Sequence, residues 1–326
     1  MSHENTMPPH VLRNVLDACI IGSGPAGLSA ALSLGRVLRS AVVFDSGEYR
    51  YQTGATTHAT YDHDNPALIR NGMKAELHRK YKTITFATAE AMEIREIGSI
   101  FQVEDGTGRL WKGRKVILAT GSSDIFPDIP GYMDSWEKGI FNCLHRRGFE
   151  ESGTPVAAIL TTSTSEAILH DAITSFKLAN QFSRSVWILT NGLTHLHFDD
   201  AVKEAEILRL KVDDRKIKKL SPAGHSTSSL MEVEFEDGSI STFGFIFHKN
   251  ETTTRGGFAN DLGLKTTSSG EIITAGPMQE TSKRGVYAAG DCATPVKEVA
   301  VAIGTGAAAG YGVNAQILED DYTNSW

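Results

Sequence analysis

Leu16-Asp-Ala-Cys-Ile-Ile-Gly22-Ser-Gly24-Pro-Ala-Gly27-Leu-Ser-Ala-Ala-Leu-Ser-Leu-Gly-Arg-Val-Leu38 is the stretch whose reading decides the fold. Leu16–Ile21 is a short apolar run that reads as a strand, and Leu28–Leu38, rich in Ala and Leu, reads as a helix. Ala41–Phe44 follows as a second strand and ends in Asp45. Strand, glycine turn, helix, strand and an acid about 20 residues past the glycines form a dinucleotide-binding fingerprint. Gly22 permits the tight turn, Gly24 lets the backbone approach a pyrophosphate, and Gly27 lets helix and strand pack closely. The helix N-terminus offers free N–H groups and a positive dipole end to the phosphates. Ser23, Pro25 and Ala26 complete that turn. Asp45 accepts from a ribose, with Ser46 beside it.

Working outward, the chain has 326 residues, too many for one ordinary α/β core and suited to two. Its 40% hydrophobic and 22% charged content belongs to a soluble globular protein. A net charge of −7 argues against a nucleic-acid footprint, which needs a basic face. Cys19, Cys143 and Cys292 are too far apart for redox or zinc spacing or a secreted disulfide framework. Residues 1–15 lack the apolar core of a signal peptide, and no apolar run reaches the roughly 18 residues needed to span a membrane. A cytoplasmic location without membrane or metal partners is the expectation.

The other end of the chain carries Gly285-Val-Tyr-Ala-Ala-Gly290-Asp291, a strand over Val286–Ala289 with an acid at the following turn. Val299–Ile317 then reads as a helix of small residues containing Gly304, Gly306 and Gly310. In the middle, Lys115–Leu118 is a strand followed by Ala119-Thr120-Gly121. From Gly121 to about Arg255 a second α/β segment begins as a βαβ unit. Pro155–Leu160 and Val186–Leu189 are its strands. The helix Ser165–Phe182 places Ala167, Ile168, Ala172, Ile173, Phe176 and Ala179 on one face.

With these markers in order, the chain resembles the pyridine-nucleotide-disulfide oxidoreductases, specifically the low-molecular-weight thioredoxin reductases. It is most similar to their fungal offshoot, the gliotoxin-type dithiol oxidases of secondary metabolism. Ala41-Val-Val-Phe-Asp-Ser-Gly-Glu-Tyr-Arg50, Tyr61-Asp-His63, Gln181-Phe-x-x-Ser-Val-x-Ile-x-Thr-Asn-Gly192 and Gly290-Asp-Cys-Ala293 carry that match, over residues 14–318. The resemblance implies an α/β fold of two Rossmann-like dinucleotide-binding domains, the second inserted into the first. Residues 1–123 and 255–326 would bind FAD, with 124–254 inserted between them, and the protein would be a homodimer. Asp291 would hold the ribityl chain, and the helix beginning at Val299 and Ala300 would point its N-terminus at the flavin pyrimidine. Thr120 and Gly121 would mark the exit from the FAD domain, with Tyr49, Arg50 and Ala89 lining the pocket.

Two departures stand out. The inserted domain of the reductases binds NADPH, yet the turn here is Thr161-Thr-Ser-Thr-Ser-Glu-Ala167, without glycine. A β-branched residue resists positive φ and blocks close phosphate approach. Thr190-Asn-Gly-Leu-Thr-His195 lacks the arginines that meet a 2′-phosphate. NADPH binding is therefore expected to be weak or absent, although the hydroxyl-rich turn leaves an anion site open. Second, the redox Cys-x-x-Cys is missing: Asn142-Cys143-Leu-His145-Arg146-Arg147 puts Arg146 where the flavin-facing thiol belongs. Cys143 alone has only a mixed disulfide open to it, while Cys19 and Cys292 read as packing.

What chemistry remains rests on two clusters. His145, Arg146 and Arg147 either anchor an anionic substrate or form an exposed basic turn. In His58-Ala-Thr-Tyr61-Asp62-His63-Asp64-Asn65-Pro66, the Asp62–His63 pair suits proton abstraction near neutral pH. The same stretch also reads as a turn with Asp64 or Asn65 capping a helix. The expected reaction is an FAD-dependent oxidation of a small natural-product intermediate. Hydride passes to flavin N5, His63 takes a proton, and oxygen reoxidises the flavin. The alternatives are an NADPH-dependent flavin or thiol oxidoreductase, and a non-redox cyclase or isomerase with a structural flavin.

Overall fold

A computed structural model describes residues 14–51, 59, 61–162, 166–193, 211–224 and 228–323, with the backbone alone for 166–170. His58, Ser163–Ser165, Thr194 and His195 of the sequence reading lie outside the described residues. The chain divides into two units, residues 1–123 with 252–326 and residues 124–251.

The first unit opens as the fingerprint demands. Val15–Ile21 (β1) runs into the glycine turn, Pro25–Arg36 (α1) follows, and Ala41–Phe44 (β2) returns parallel to β1 with Ala18 opposite Ala41. Pro25 takes the first helical turn, where its missing N–H costs nothing and its fixed φ suits the helix. The helix therefore begins three residues before the Leu28 expected from the apolar run. It stops at Arg36, and Leu38 already sits at φ +60°. Pro66–Lys80 (α2), Ile84–Ala87 (β3), Ala91–Ile97 (β4), Ile100–Asp105 (β5), Leu110–Leu118 (β6) and Ser122–Asp124 (β7) complete the first pass.

In the second unit come Tyr132–Ser135 (α3), Ile140–Phe141 (β8), Leu144–Arg147 (α4), Ala157–Leu160 (β9), Glu166–Ala179 (α5), Val186–Leu189 (β10), Lys211–Asp213 (β11), Ile217–Pro222 (β12), Met231–Phe235 (β13), Ile240–Phe243 (β14) and Ile246–Phe247 (β15). Thr252–Thr254 (β16), Phe258–Asp261 (α6), Thr274–Ala275 (β17), Glu280–Thr281 (β18), Val286–Ala288 (β19) and Val299–Thr323 (α7) close the chain.

The first unit is built on a nine-stranded sheet in the order β17-β18-β19-β6-β1-β2-β3, with β5 paired to β6 and β4 to β5. Because side chains alternate along a strand, β1 feeds two cores. Ala18 and Ile20 face α1 and α7, whereas Cys19 and Ile21 face the layer of Ile94, Val103 and Phe258. Cys19 is fully buried, and burial pushes its thiol up to about 12, so it is an inert packing residue.

The small residues of α7 have a geometric reason. A Cβ on Gly306 would lie 2.1 Å from the Ala26 carbonyl oxygen, and one on Gly310 would lie 2.8 Å from that of Ala30. The two helices touch backbone to backbone, and the Ser29 hydroxyl donates to Ile303 O at 2.8 Å. Gly304, by contrast, borders open space.

The second unit carries a five-stranded, all-parallel sheet in the order β11-β10-β9-β15-β8. Ala172, Ile173, Phe176 and Ala179 of α5 are buried, as the helical periodicity requires. A three-stranded antiparallel sheet, β12-β13-β14, is added to it, and the motif reading did not foresee that sheet.

The α1–α7 contact yields a prediction. Gly306→Ala forces the helices apart and costs about 1–3 kcal/mol, as overpacking does. Urea unfolding would show a lowered midpoint, whereas Gly304→Ala, inside the same helix but facing open space, would raise it, adding about 0.5–1 kcal/mol of stability.

Candidate functional site

The principal cavity of the first unit lies at the carboxyl ends of β1, β2 and β6, where Ile21, Phe44 and Ala119 reach it. Open α/β sheets take their ligands at that edge. Gly22 sits at φ +112°, and a Cβ there would fall 2.3 Å from Ala119 O. Gly27 does not line the cavity; its missing Cβ makes room for Gly22 O, which would otherwise be 1.9 Å away. Gly24 borders open space on the cavity wall and caps α1 with no side-chain hydrogen bond. The first peptide N–H groups of α1 are thus left to an anion.

Asp45 is 7% exposed. Its Oδ1 accepts from the Tyr49 hydroxyl at 2.8 Å and from Gly47 N at 3.1 Å, and its Oδ2 accepts from Lys74 Nζ. Burial raises this carboxyl, but the hydrogen bonds from Lys74, Ser23, Tyr49 and Gly47 outweigh it and hold the group at about 2. The Tyr49 hydroxyl also meets Ser23 Oγ at 3.1 Å, which ties the acid to the glycine turn. Arg70 lies over the Tyr49 ring, 4.0 Å from its centroid, and donates to Tyr51 O at 3.2 Å.

At the far end, Gly290 adopts φ +75° and opens a 3-10 turn over Gly290–Cys292. Asp291 pairs with Arg50 at 3.1 Å. Lys297 Nζ reaches Glu271 Oε1 at 3.2 Å and donates to Asp291 O at 2.9 Å. Thr120, Gly121, Ser122 and Val299 complete this wall, and the Ser122 hydroxyl is buried without a hydrogen-bond partner among the described residues. An uncapped helix end over a glycine wall, a ribose acid and an orphaned hydroxyl fit an FAD molecule.

One cavity thus gathers Gly22, Ser23, Gly24, Pro25, Ala26, Asp45, Ser46, Tyr49, Arg50, Ala89, Thr120, Gly121, Gly290, Asp291 and Val299. Ala300 is exposed and off the wall; Ala302, three residues after Val299 and so on the same helix face, takes the place expected of it. Lys74, Arg70, Arg255 and Lys297 escaped the motif reading. Arg70 and Lys74 stand four apart on α2, so their spacing after the Asn65-Pro66 start is the one signal that marks a shared face.

The expected catalytic residues belong to both units. His63 and Asp62 form an exposed pair, Nε2 to Oδ2 at 3.3 Å, on the turn before α2, with His63 at φ +65°. Neither lines the cavity, although Pro66 does. Asn65 caps α2 by accepting from Ala67 N at 2.9 Å, so of the two capping candidates Asn65 serves and Asp64 does not. Cys143, half-buried and in no disulfide, precedes α4 in the second unit. His145 is exposed. Arg146 is buried, and its two terminal nitrogens fork onto the Glu137 carboxylate, with Nη1 to Oε2 at 2.7 Å. Arg147 covers the Phe141 ring at 4.7 Å. The segment is therefore neither a uniformly exposed basic turn nor an outstretched fork: its central guanidinium is bound inside the second unit.

Residues 16–168 match the family model of the pyridine nucleotide-disulphide oxidoreductases. The chain is 39% identical to "Thioredoxin reductase sirT" of Leptosphaeria maculans over 314 residues, covering 94% of this chain and 96% of that protein. It is 37% identical to "Thioredoxin reductase aclD" of Aspergillus oryzae, covering 94% and 98%. Among solved structures, that of HlmI superposes with a TM-score of 0.85 at 27% identity, covering 96% of each chain. An oxidoreductase from Agrobacterium tumefaciens gives 0.81 at 28%, covering 93% and 99%.

Two outcomes follow from this geometry. Asp45 is held below the ordinary aspartate value of about 4. The stabilisation it confers is therefore complete above that value and lost as pH falls toward 2. Asp45→Asn should remove that acid-dependent step from the unfolding midpoint measured against pH, and weaken FAD binding about tenfold or more. Arg146→Leu leaves the Glu137 carboxylate buried and unpaired, at a cost of about 3–5 kcal/mol. Denaturant unfolding should show that loss, and the double change with Glu137→Leu should recover most of it.

Proposed function

We propose a function for this chain from the premise that it belongs to the pyridine nucleotide-disulphide oxidoreductases of the thioredoxin-reductase type: it is an FAD-dependent oxidoreductase that oxidises a small natural-product intermediate without a redox dithiol. The observation that carries this reading is one pairing of facts. The first unit keeps a dinucleotide cavity with its glycine wall and acid in place. At position 146, where the family's second thiol belongs, an arginine is forked onto Glu137.

Bound in the cavity, FAD supplies a two-electron acceptor at N5. The N-terminus of α1 would hold the pyrophosphate. Asp45, oriented by Tyr49 and Lys74, would accept from the ribose, and Asp291, paired with Arg50, would hold the other end. The Ser122 hydroxyl would gain a hydrogen-bond partner. His63, paired through Nε2 with Asp62 on the exposed turn before α2, is the base of this reading. Molecular oxygen is the final electron acceptor, reduced to peroxide. Fungal secondary metabolism is the proposed setting, consistent with the fungal relatives.

The test is spectroscopic. Anaerobic mixing with the correct pathway intermediate should bleach the yellow flavin, and air should restore it with one peroxide per turnover. His63→Ala should slow bleaching about 100-fold or more, as loss of a general base does, and Cys143→Ser should leave it unchanged. Fast bleaching by NADPH at micromolar concentration would replace this reading with that of a reductase.

A further inference from the structure

The second unit holds its own cavity of about 270 Å³. It lies at the carboxyl ends of β9 and β15, which are neighbours in the sheet although distant in sequence. That reversal of strand order is where open parallel sheets take ligands. His248, the residue after β15, lines it and is 4% exposed.

The state of this imidazole follows from its partners. The Tyr132 hydroxyl lies 2.7 Å from Nδ1 and has no other acceptor among the described residues, so it donates to Nδ1. Burial pushes His248 down to about 4 and pushes the Tyr132 hydroxyl well up, so both are neutral near pH 7. The ring proton therefore sits on Nε2. There, among the described residues, it meets only Thr162 Oγ1 at 3.4 Å, longer than an ordinary N–H···O bond, and Thr162 also lines the cavity. A buried donor is thus fixed in tautomer and under-used, a costly arrangement without a partner.

The remaining walls select the partner. Phe126, Ile159 and Phe247 give apolar surface. Asp171 and Glu251 bring two carboxylates, and Lys249, the one cation among the described lining residues, is paired with Asp171 at 2.6 Å. Phosphates and carboxylates therefore meet a net negative lining among the described residues. We propose that this cavity binds a small uncharged molecule whose carbonyl oxygen accepts from His248 Nε2 beside the Thr162 hydroxyl, its body packed on Phe126, Ile159 and Phe247. The site shares no lining residue with the flavin cavity and stands whether or not the proposed oxidation is correct.

The experiment titrates the flavin-loaded full chain with benzamide and cyclohexanone as uncharged carbonyl probes, benzoate as the charged control, and NADP+. Calorimetry reads affinity and the His248 Nε2–H nitrogen resonance reads contact. Saturable binding of an uncharged probe with a shift of that resonance is expected, with benzoate weaker by about tenfold or more. His248→Phe and Thr162→Val should each weaken the probe by a similar factor, with retention of the flavin spectrum reporting an intact protein. Should His248→Phe fail to fold, Thr162→Val and the resonance shift decide. No saturable binding by either uncharged probe, equal binding of benzoate, indifference to Thr162→Val, or displacement of the probe by micromolar NADP+ each overturns the proposal.

Discussion

Close backbone contact around the glycine turn is the constraint on which the flavin cavity depends. Gly22 meets the Ala119 carbonyl, Gly27 meets the Gly22 carbonyl, and Gly306 meets the Ala26 carbonyl. Each of these approaches is shorter than any Cβ allows. Together they draw β6, α1 and α7 onto one point at the end of β1. The cavity is what remains open there, with Gly24 facing space. A small residue in α7 is thus a condition for the nucleotide edge, not only a helix-packing preference.

Around that rigid centre the charges are arranged in pairs rather than singly. Asp45 is oriented by Lys74 and Tyr49, and Asp291 by Arg50. A carboxylate fixed by two or more donors loses little freedom when a sugar hydroxyl arrives, which is the advantage of preorganisation. The Tyr49 hydroxyl links this acid to Ser23, so the glycine turn and Asp45 are mechanically joined within the first unit.

The second unit carries a parallel sheet, and several of its described polar groups are committed to one another. Arg146 is held by Glu137, and Asn191 accepts from Ile217 N at 3.0 Å. His248 is hydrogen-bonded to Tyr132 and lines a cavity with Asp171 and Glu251 on its wall. Its sheet is sustained by buried apolar strands, whereas what it can bind is decided by a few polar groups at the sheet's edge.

The one-dimensional sequence determined the α/β class, the glycine turn and the acid of the first unit. These signals are local: strand, turn, helix and acid fall within residues 15–45, where spacing alone fixes geometry. It also showed that Cys143 lacks a thiol at 146. Tertiary structure alone decided that Lys74 completes Asp45 from 29 residues away, that Arg50 meets Asp291 across 241, and that Ala302 rather than Ala300 reaches the wall. It also decided that Arg146 turns onto Glu137 rather than standing free, and that His248 joins Tyr132 over 116 residues. Such pairings leave no periodic trace, because what brings the partners together is the order of strands in a sheet and the depth at which a charge is buried, and neither is written in the spacing along the chain.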